Sequence, residues 1–265
     1  MVVASVGHQC PECVAEGRRS QRPTLTHFGG SQAGMEGYVT KTLIFLNVVV
    51  ALIALAMGGF SMFGGGITDL HIWGAVNGPG YVIGNQGLPI FLGAPGIDQG
   101  AFWRLFSAMF LHFGILHLLL NMYALLMLGR PLEAALGPIR FGALYLLCGL
   151  GGNVACYVFS PTTLSAGAST AIYGLFAAYF LVLRKLGRDA ASVIPVIIIN
   201  VVFTFAFASY GISIAGHMGG LAIGAVCGLG LAYAPRENRT LVQSAVLFGT
   251  FLALIAITVV TFALR

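Results

Sequence analysis

Long stretches without a single charged side chain constrain this sequence more than any other feature. They cover residues 42–68, 105–129, 141–183, 190–235 and 240–264. A helix that spans a membrane needs about 20 apolar residues, so the two longest stretches must each hold two spans. The predicted breaks are Ser-Pro-Thr-Thr at 160–163 and Ser-Tyr-Gly at 209–211. Seven helices are therefore predicted, and they begin near residues 43, 106, 141, 168, 191, 213 and 241.

The scarcity of charge places the chain among integral membrane proteins. Charged residues make up 8% of the chain and hydrophobic residues 58%, whereas a soluble domain carries about 25% charged residues. We expect an all-α, polytopic membrane helix bundle in three parts. Residues 1–40 form a polar tail, residues 41–235 form a core, and residues 236–265 add a C-terminal membrane helix.

The basic residues predict the orientation, because Lys and Arg concentrate in cytoplasmic segments. With the N-terminus in the cytoplasm, eleven of the thirteen basic residues fall inside, and only Arg104 and the C-terminal Arg265 fall outside. The formal net charge of +5 is therefore interpreted as a topology signal, and no nucleic-acid partner is expected. Because residues 1–41 are polar and mixed, no signal peptide is expected before the first span.

The loop at 61–103, between the first two spans, is long and rich in Gly, Pro and apolar residues. A loop of this length is usually functional, and its apolar content predicts a position in the membrane interface. The two halves of the chain show no duplication, which argues against an inverted-repeat transporter. A transporter or channel with a histidine proton relay stays an alternative, weakened by the lack of carboxylates in the spans.

Five polar residues on three predicted helices converge at one depth. Ser169 and His217 lie near the outer ends of the fourth and sixth spans, and the second span carries His112, His117 and Asn121. Taken singly, each residue has a purely structural interpretation. A serine in a membrane helix can hydrogen-bond to the carbonyl four residues earlier, and a buried histidine can be a packing residue. The pair His117 and Asn121 can hydrogen-bond to a neighbouring helix. Their convergence favours chemistry, because intramembrane polar groups are unfavourable unless they are used.

The residue types indicate a nucleophile and its base. Ser169 lies in the first turn of its helix, where free backbone N–H groups can donate hydrogen bonds to a developing oxyanion. His217 would act as the base that takes the serine proton. His117 and Asn121 share one helix face and can supply further donors.

No Asp or Glu lies at this depth, and the outer loop offers only Asp69 and Asp98, so we expect a dyad rather than a triad. Tyr173, one turn below the serine, would pack on the imidazole and orient it. His112 is five residues from His117, about 140° round a helix, so we predict that it faces elsewhere and is structural.

Four glycines lie at intervals of four residues on the sixth span: Gly216, Gly220, Gly224 and Gly228. A stripe of this kind lets two backbones approach closely. It is predicted to hold His217 close to a neighbouring helix.

These segments resemble the motifs of the rhomboid intramembrane serine proteases, over roughly residues 43–235. The matching segments are Trp103-Arg104, the H-x-x-x-x-H-x-x-x-N pattern of 112–121, Gly167-Ala168-Ser169, and Gly-His-Met-Gly-Gly at 216–220. The resemblance implies six core helices, with Ser169 as nucleophile, His217 as base, and His117 and Asn121 assisting the oxyanion. The seventh helix resembles the subgroup with an extra C-terminal span, a 6+1 arrangement.

The same resemblance implies an activity and a location. A rhomboid-like protease would cleave single-span membrane proteins near the outer face of a bacterial inner (plasma) membrane. Its partners would be transmembrane substrates and the lipid bilayer, and catalysis would need no cofactor. The oligomeric state is left open.

One residue departs from the family pattern G-x-S-G, because Thr170 stands where the second glycine is expected. Its β-branched side chain either alters the oxyanion geometry or is tolerated by the helix. The first outcome would give a non-proteolytic rhomboid-like protein that binds transmembrane clients. An active enzyme is favoured, since Ser169 and His217 are both present.

The five cysteines fall into two groups. Cys148, Cys156 and Cys227 lie in predicted spans and are expected to be small packing residues. In the tail, the C-x-x-C of Cys10 and Cys13 resembles part of the zinc-binding segment of some bacterial rhomboids. A closed zinc site needs four ligands, and the tail offers only His8 and His27 besides. Zinc binding is therefore not expected, and Cys10 and Cys13 are kept as the candidate ligands.

Overall fold

The computed structural model describes residues 2–3, 7–20, 24–58, 66–84, 86–208 and 212–265. Within them the chain is a helical bundle, as predicted. The helices are α1 (Pro11–Ser20), α2 (Tyr38–Ala56), α3 (Asp69–Gly74), α4 (Arg104–Ser107), α5 (Ile115–Leu136), α6 (Pro138–Phe159), α7 (Ser169–Lys185), α8 (Ile194–Ala206), α9 (Ile214–Tyr233) and α10 (Arg239–Ala263). Antiparallel pairs join β1 (Val2–Val3) to β2 (His8–Gln9) and β3 (Tyr81–Ile83) to β4 (Pro89–Phe91). Short 3-10 helices lie at Gln32–Glu36, Ile97–Gln99, Ala108–Phe110 and Ala191–Val193.

Five of the described helices are long and apolar enough to cross a membrane: α2, α5, α6, α9 and α10. Helices α7 and α8 occupy the positions predicted for the fourth and fifth spans, but they have only 17 and 13 residues. Helix α7 is nevertheless central, since most of its side chains are buried by its neighbours. The chain is an integral membrane protein, and the count of seven crossings stays a prediction.

Helix α5 begins later than its charge-free stretch indicated. The expected start near residue 106 is wrong, because residues 104–110 form α4 and a 3-10 helix and α5 begins at Ile115. The cause is Arg104, which donates to three loop carbonyls and so holds α4 against the outer loop. The break at 160–163 falls between α6 and α7 as predicted, and the break at 209–211 lies outside the described residues.

Helix α5 also extends beyond the charge-free stretch and includes a fully buried carboxylate, Glu133. Glu133 accepts the N–H groups of Val39 and Thr40 at 2.9 and 2.8 Å, and the Thr40 hydroxyl at 2.7 Å. These are free N–H groups in the first turn of α2, where a negative charge is favourable. The carboxylate thus joins the end of α5 to the start of α2.

The outer loop is folded in its described part. It contains α3, the β3–β4 hairpin with Tyr81 opposite Phe91, and a 3-10 helix. Several of its apolar side chains are exposed, among them Ile90 at 56% and Phe91 at 76%. Such exposure suits the predicted position in the membrane interface, because contiguous apolar patches of this kind contact lipid or other proteins.

Helices α6, α7 and α9 form the centre of the bundle, and the glycine stripe of α9 packs on α7. A methyl group placed on Gly220 would lie 1.9 Å from the carbonyl oxygen of Thr170, and one on Gly224 would lie 2.0 Å from that of Gly174. Nothing larger than a hydrogen fits at these positions. The close helix approach predicted from the spacing is therefore confirmed.

The helix ends define two faces of the bundle, which we call the site face, where α7 begins at Ser169, and the opposite face, where α7 ends at Lys185. Arg265 lies on the site face, since it pairs with Asp98 at 3.8 Å and donates to the carbonyl oxygen of Val158 at 3.0 Å. The start of α2 lies on the opposite face, beside Glu133. The N-terminal end of the first long helix and the C-terminus are thus on different faces.

Candidate active site

Ser169 and His217 meet at the site face. Ser169 is the first residue of α7, and His217 lies in the first turn of α9. Ser169 Oγ and His217 Nε2 are 2.9 Å apart, a hydrogen-bonding distance. The two helices run side by side from the same face, and the glycine contact at Gly220 sets their relative height. Tertiary packing therefore brings together the two residues that the sequence singled out.

The second ring nitrogen of His217 binds a residue that the sequence analysis missed. Nδ1 lies 2.8 Å from Oγ1 of Thr204 in α8, and the Thr204 hydroxyl donates to the carbonyl oxygen of Asn200 at 2.9 Å. The two carboxylates of the outer loop lie elsewhere, with Asp98 accepting from Tyr157 Oη at 2.6 Å and Asp69 in the first turn of α3. A hydroxyl therefore takes the place that a carboxylate has in a Ser-His-Asp triad.

Tyr173 stacks on the His217 imidazole, with ring centroids 4.0 Å apart and planes at 15°. Its hydroxyl donates to the carbonyl oxygen of Asn200 at 2.6 Å and contacts Thr204 Oγ1. The imidazole is thus held on one ring face by Tyr173 and at Nδ1 by Thr204. Both contacts limit its rotation about the side-chain bonds.

His117 faces Ser169 across a small space that Gly167 keeps open. A methyl group placed on Gly167 would lie 2.9 Å from His117 Nε2 and 3.3 Å from Ser169 Oγ. Gly167 has φ +140°, a conformation that side chains with a Cβ rarely adopt. Its N–H donates to the carbonyl oxygen of Ala108 at 2.9 Å, which anchors the segment before α7. Conformation and space both require a glycine here.

Asn121 lies one turn below His117 on α5, with its amide turned towards its own helix. Nδ2 donates to the carbonyl oxygen of His117 at 2.7 Å, and the residue is 6% exposed. In the part of the chain that the structure describes, no hydrogen bond joins Asn121 to Ser169 or His217. The amide nitrogen has two hydrogens, so one donor is left for another acceptor.

His112 does not lie on α5, contrary to the prediction from its spacing. It precedes the helix, and its ring meets that of His117 edge to face at 5.0 Å between centroids. The helical angle of about 140° between the two residues does not apply, because residues 111–114 are not helical. His112 is 1% exposed and packs directly against His117.

His71 of α3 fastens the outer loop to this segment, and no motif singled it out. Its Nε2–H donates to the carbonyl oxygen of His112 at 2.9 Å, its ring stacks on Phe113, and Nδ1 accepts from the Thr68 hydroxyl at 2.9 Å. The side chain is fully buried, and burial lowers the pKa of His71. Both hydrogen bonds use the neutral ring, because Nδ1 can accept from Thr68 only when it carries no proton.

Trp103 and Arg104 tie parts of the outer loop to each other. Trp103 Nε1 donates to the carbonyl oxygen of Trp73 at 3.0 Å. Arg104 is fully buried and donates to the carbonyl oxygens of Ala75 and Ile72 at 2.7 and 2.6 Å, and to a third at 2.8 Å. The motif therefore holds the outer loop against the start of α4.

The side chain of Thr170 packs between α6 and α9. A methyl group placed on Gly152 would lie 2.5 Å from Thr170 Cβ, and one on Gly216 would lie 3.0 Å from Thr170 Cγ2. Two glycines on neighbouring helices thus accommodate the β-branched residue beside Ser169. Thr170 Oγ1 is buried and has no hydrogen-bond partner among the described residues.

The candidate zinc ligands Cys10 and Cys13 lie at the start of α1 with exposed thiols. Hydrogen bonding from Cys13 lowers the pKa of Cys10. The described residues contain no group of three or more His, Cys, Asp or Glu side chains placed to hold a metal ion, and the side chain of His8 lies outside them. Two thiols do not make a closed zinc site. The expectation that catalysis needs no cofactor stays a prediction.

Fold and site together define a membrane-embedded helical protein with a hydrogen-bonded serine and histidine near one face. The Rhomboid domain family matches residues 99–234, slightly more than half of the chain. The chain therefore belongs to the rhomboid family, as the motifs predicted. The matched range includes α5 to α9, with Ser169, His217 and the residues around them: Tyr173, Thr204, Gly167, His117, Asn121 and His112. His71 and the other residues of α3 lie outside it.

Curated relatives share the same region. Rhomboid protease GluP of Bacillus subtilis (strain 168) is 40% identical over 163 residues, which cover 58% of this chain and 31% of the relative. RHOMBOID-like protein 2 of Arabidopsis thaliana is 49% identical over 73 residues, 28% of this chain and 23% of the relative. RHOMBOID-like protein 4 of the same plant is 34% identical over 142 residues, 52% of this chain and 36% of the relative. The chain thus spans little more than a third, or less, of each of these relatives.

Proposed function

We propose that the chain is an intramembrane serine endopeptidase with Ser169 as nucleophile and His217 as general base. The observation that carries the proposal is the 2.9 Å contact between Ser169 Oγ and His217 Nε2. A serine hydroxyl is a weak nucleophile unless an adjacent base takes its proton. Membership of the rhomboid family, and the similarity to rhomboid protease GluP, support the same reaction.

The hydrogen bonds around His217 suit the protonation state that this reaction needs. Nε2 must carry no proton to accept from Ser169, so the proton of the neutral ring lies on Nδ1 and is donated to Thr204 Oγ1. Thr204 then donates to the carbonyl oxygen of Asn200, the same atom to which Tyr173 Oη donates. The Thr204 hydroxyl thus gives its one hydrogen to that carbonyl and accepts the Nδ1 proton on a lone pair. We therefore assign Thr204 as a positioning residue for His217.

The reaction follows the acyl-transfer scheme of serine proteases. Ser169 Oγ attacks the carbonyl carbon of the scissile peptide bond while its proton passes to His217 Nε2. The tetrahedral intermediate collapses when His217 returns that proton to the leaving amine, which leaves an acyl ester on Ser169. A water molecule, deprotonated by His217, then attacks the ester carbonyl. His217 returns that proton to Ser169 Oγ as the ester bond breaks, which releases the second product and restores the free pair.

Oxyanion stabilisation is assigned to groups around the space beside Gly167. The first N–H groups of α7 have no carbonyl partner within the helix, and the positive end of the helix dipole lies there. His117 Nε2 lines the same space. Asn121 would contribute the donor that its own helix leaves unused. Donors placed in advance of the reaction act mainly on the transition state.

The proposed substrates are single-span membrane proteins, cut close to the outer surface of the membrane. Basic residues of the helix ends and connections lie on the opposite face: Arg130, Arg140, Lys185, Arg188, Arg236 and Arg239. Lys and Arg concentrate on the cytoplasmic side, so we assign the site face to the outside, with the N-terminus in the cytoplasm. A substrate helix must unwind locally, because its peptide bonds are otherwise shielded by helical pairing.

The test uses the purified chain and a model single-span substrate in detergent and in liposomes. Ser169→Ala and His217→Ala are each expected to abolish cleavage, and the double variant to be no worse than either, since the pair acts as a unit. A fluorophosphonate should label the wild type and miss Ser169→Ala. Ser192→Ala, at an exposed serine of the opposite face, is the matched control and should retain both cleavage and labelling.

The outcomes separate the proposal from its alternatives. Cleavage that persists in folded Ser169→Ala contradicts the assignment of the nucleophile. A folded wild type that neither cleaves nor reacts with the fluorophosphonate would support a non-proteolytic rhomboid-like protein that binds transmembrane clients.

A further inference from the structure

A cavity on the opposite face is surrounded by cationic side chains that the proposed peptidase does not use. It has a volume of about 180 Å³ and lies where α7 and α9 end and α10 begins. Lys185, Arg236 and Arg239 line it, together with His27 and Tyr233. We call this cavity the basic pocket.

Among the described residues, no carboxylate forms an ion pair within 4.0 Å with the cationic side chains of the basic pocket. In the described part of the chain, one pair of oppositely charged side chains lies within 4.0 Å: Arg265 and Asp98, on the site face. Arg239 Nη1 donates to the carbonyl oxygen of His27 at 2.8 Å, and Lys185 Nζ lies 4.8 Å from the centre of the Tyr233 ring. Both contacts are with neutral groups, so the pocket keeps its positive charge.

Two guanidinium groups also approach each other beside the pocket. A methyl group placed on Gly29 would lie 3.7 Å from Arg239 Nη1 and 3.9 Å from Arg140 Nη2. Arg140 is held in place by Gln243, whose Oε1 accepts from its Nε at 2.6 Å, and Gln243 Nε2 donates to the carbonyl oxygen of Leu231 at 2.8 Å. Like charges held this close repel each other. A bound anion would remove that repulsion.

We propose that the basic pocket binds the phosphate of an anionic phospholipid headgroup. Arginine presents a planar set of donors that matches phosphate oxygens, and basic pockets between helix ends bind anionic headgroups. The pocket itself has apolar surroundings, because Phe28, Ala232 and Pro235 line it beside the charges. Tyr233, which also lines it, is 40% exposed, and tyrosine is enriched where lipid meets water. A free phosphate ion offers the same oxygens without the chains, so the apolar surroundings favour the lipid.

The test measures the thermal unfolding of the purified full chain in a neutral detergent. Added phosphatidylglycerol should raise the unfolding temperature of the wild type in a saturable way, and phosphatidylcholine should not. Arg236→Gln and Lys185→Gln should each weaken the apparent affinity for phosphatidylglycerol about fivefold, the effect of one basic residue near an anionic surface. Arg239 is left unchanged, because its bond to His27 also supports the fold.

Arg188→Gln is the matched control, since Arg188 is an exposed basic residue of the same face that does not line the pocket. It should respond to phosphatidylglycerol as the wild type does. If inorganic phosphate alone raises the unfolding temperature as much as phosphatidylglycerol does, and the variants weaken that effect, the pocket binds phosphate ions and the assignment to a phospholipid is wrong. If Arg236→Gln and Lys185→Gln respond like the wild type, or no more weakly than Arg188→Gln, the proposal is overturned.

Discussion

Helices α8 and α9 both contribute to the surroundings of one imidazole, yet they are held in the bundle in different ways. Helix α9 carries His217 and buries eight of its residues, four of them the glycines of the stripe. Helix α8 contributes Thr204, and of its residues, all of which the structure describes, Thr204 alone is buried. Helix α9 is located by close backbone contacts, whereas α8 is joined to the site by hydrogen bonds at Thr204 and at the carbonyl oxygen of Asn200.

The difference shows that helices of one membrane bundle can be held in place by different kinds of contact. Lipid is as apolar as leucine, so the exposed apolar side chains of α8 gain little by packing on the bundle rather than facing lipid. The position of helix α9 is fixed by glycines that lie directly against the backbone of α7, where there is room for a hydrogen atom but not for a methyl group. We therefore expect changes at the α7–α9 contact to affect the fold and the distance between Ser169 and His217. Changes on α8 should affect the rate alone.

The largest effect is expected from Gly220→Ala. The new methyl group would lie 1.9 Å from the carbonyl oxygen of Thr170, and backbone cannot move aside as a flexible side chain can. Overpacking of this kind destabilises a protein by about 1–3 kcal/mol or more. Thermal unfolding should show that loss, and cleavage should fall with it because α7 also carries Ser169.

Gly249→Ala is the matched control for this change. Gly249 also lies within a membrane helix, α10, and a methyl group there would meet no atom within 4 Å. Its unfolding temperature should equal that of the wild type or exceed it slightly, since alanine favours helix. Equal stability of Gly220→Ala and Gly249→Ala would contradict the tight contact between α7 and α9.

An intermediate effect is expected from Thr204→Val, which keeps the shape of the side chain and removes the hydroxyl. The turnover number kcat should fall roughly tenfold, the loss expected of one hydrogen bond that orients the base. KM and the unfolding temperature should change little, because α8 is loosely packed. Thr204→Ser, which restores the hydroxyl, should recover most of kcat.

Thr261→Val is the control for the loss of a helix hydroxyl. Among the described residues, Thr261 Oγ1 donates to the carbonyl oxygen of Ile257 in its own helix, at 2.8 Å, and to no other group. The Thr261→Val enzyme should keep the kcat of the wild type. A Thr204→Val enzyme that also keeps wild-type kcat would show that Thr204 does not position His217.

The smallest effect is expected from Thr170→Val. The Thr170 hydroxyl is buried without a partner among the described residues, so its replacement by a methyl group should leave kcat within about twofold of the wild type and stability equal or higher. Thr170→Gly should be less stable, because the side chain fills space between α6 and α9. A kcat for Thr170→Gly well above that of the wild type would show instead that Thr170 restrains the nucleophile.

The sequence predicted the helical bundle and the pair at its site, because both depend on local patterns. Charge-free length indicates helices that can span a membrane, and glycines four residues apart indicate a packed helix face. The order and direction of the predicted spans placed Ser169 and His217 at one depth, and the structure has them 2.9 Å apart. Their catalytic roles stay predictions. The predicted start of α5 was wrong, because Arg104 donates hydrogen bonds to carbonyl oxygens of the outer loop, which the local pattern does not reveal.

Only the tertiary structure decided what surrounds the imidazole. The sequence predicted a dyad with Tyr173 packed on the imidazole, and the structure has Tyr173 stacked on that ring. Nothing in the local pattern, however, distinguishes Thr204 from any other threonine in an apolar helix. Thr204 acquires its partner because α8 returns to the site face beside α9, and that depends on how the helices pack. In the same way, helical spacing predicted that His112 faces away from His117. In the structure the segment before α5 is not helical, and the two rings are in contact. Periodicity determines which residues share a face within a helix, whereas contacts between helices depend on packing.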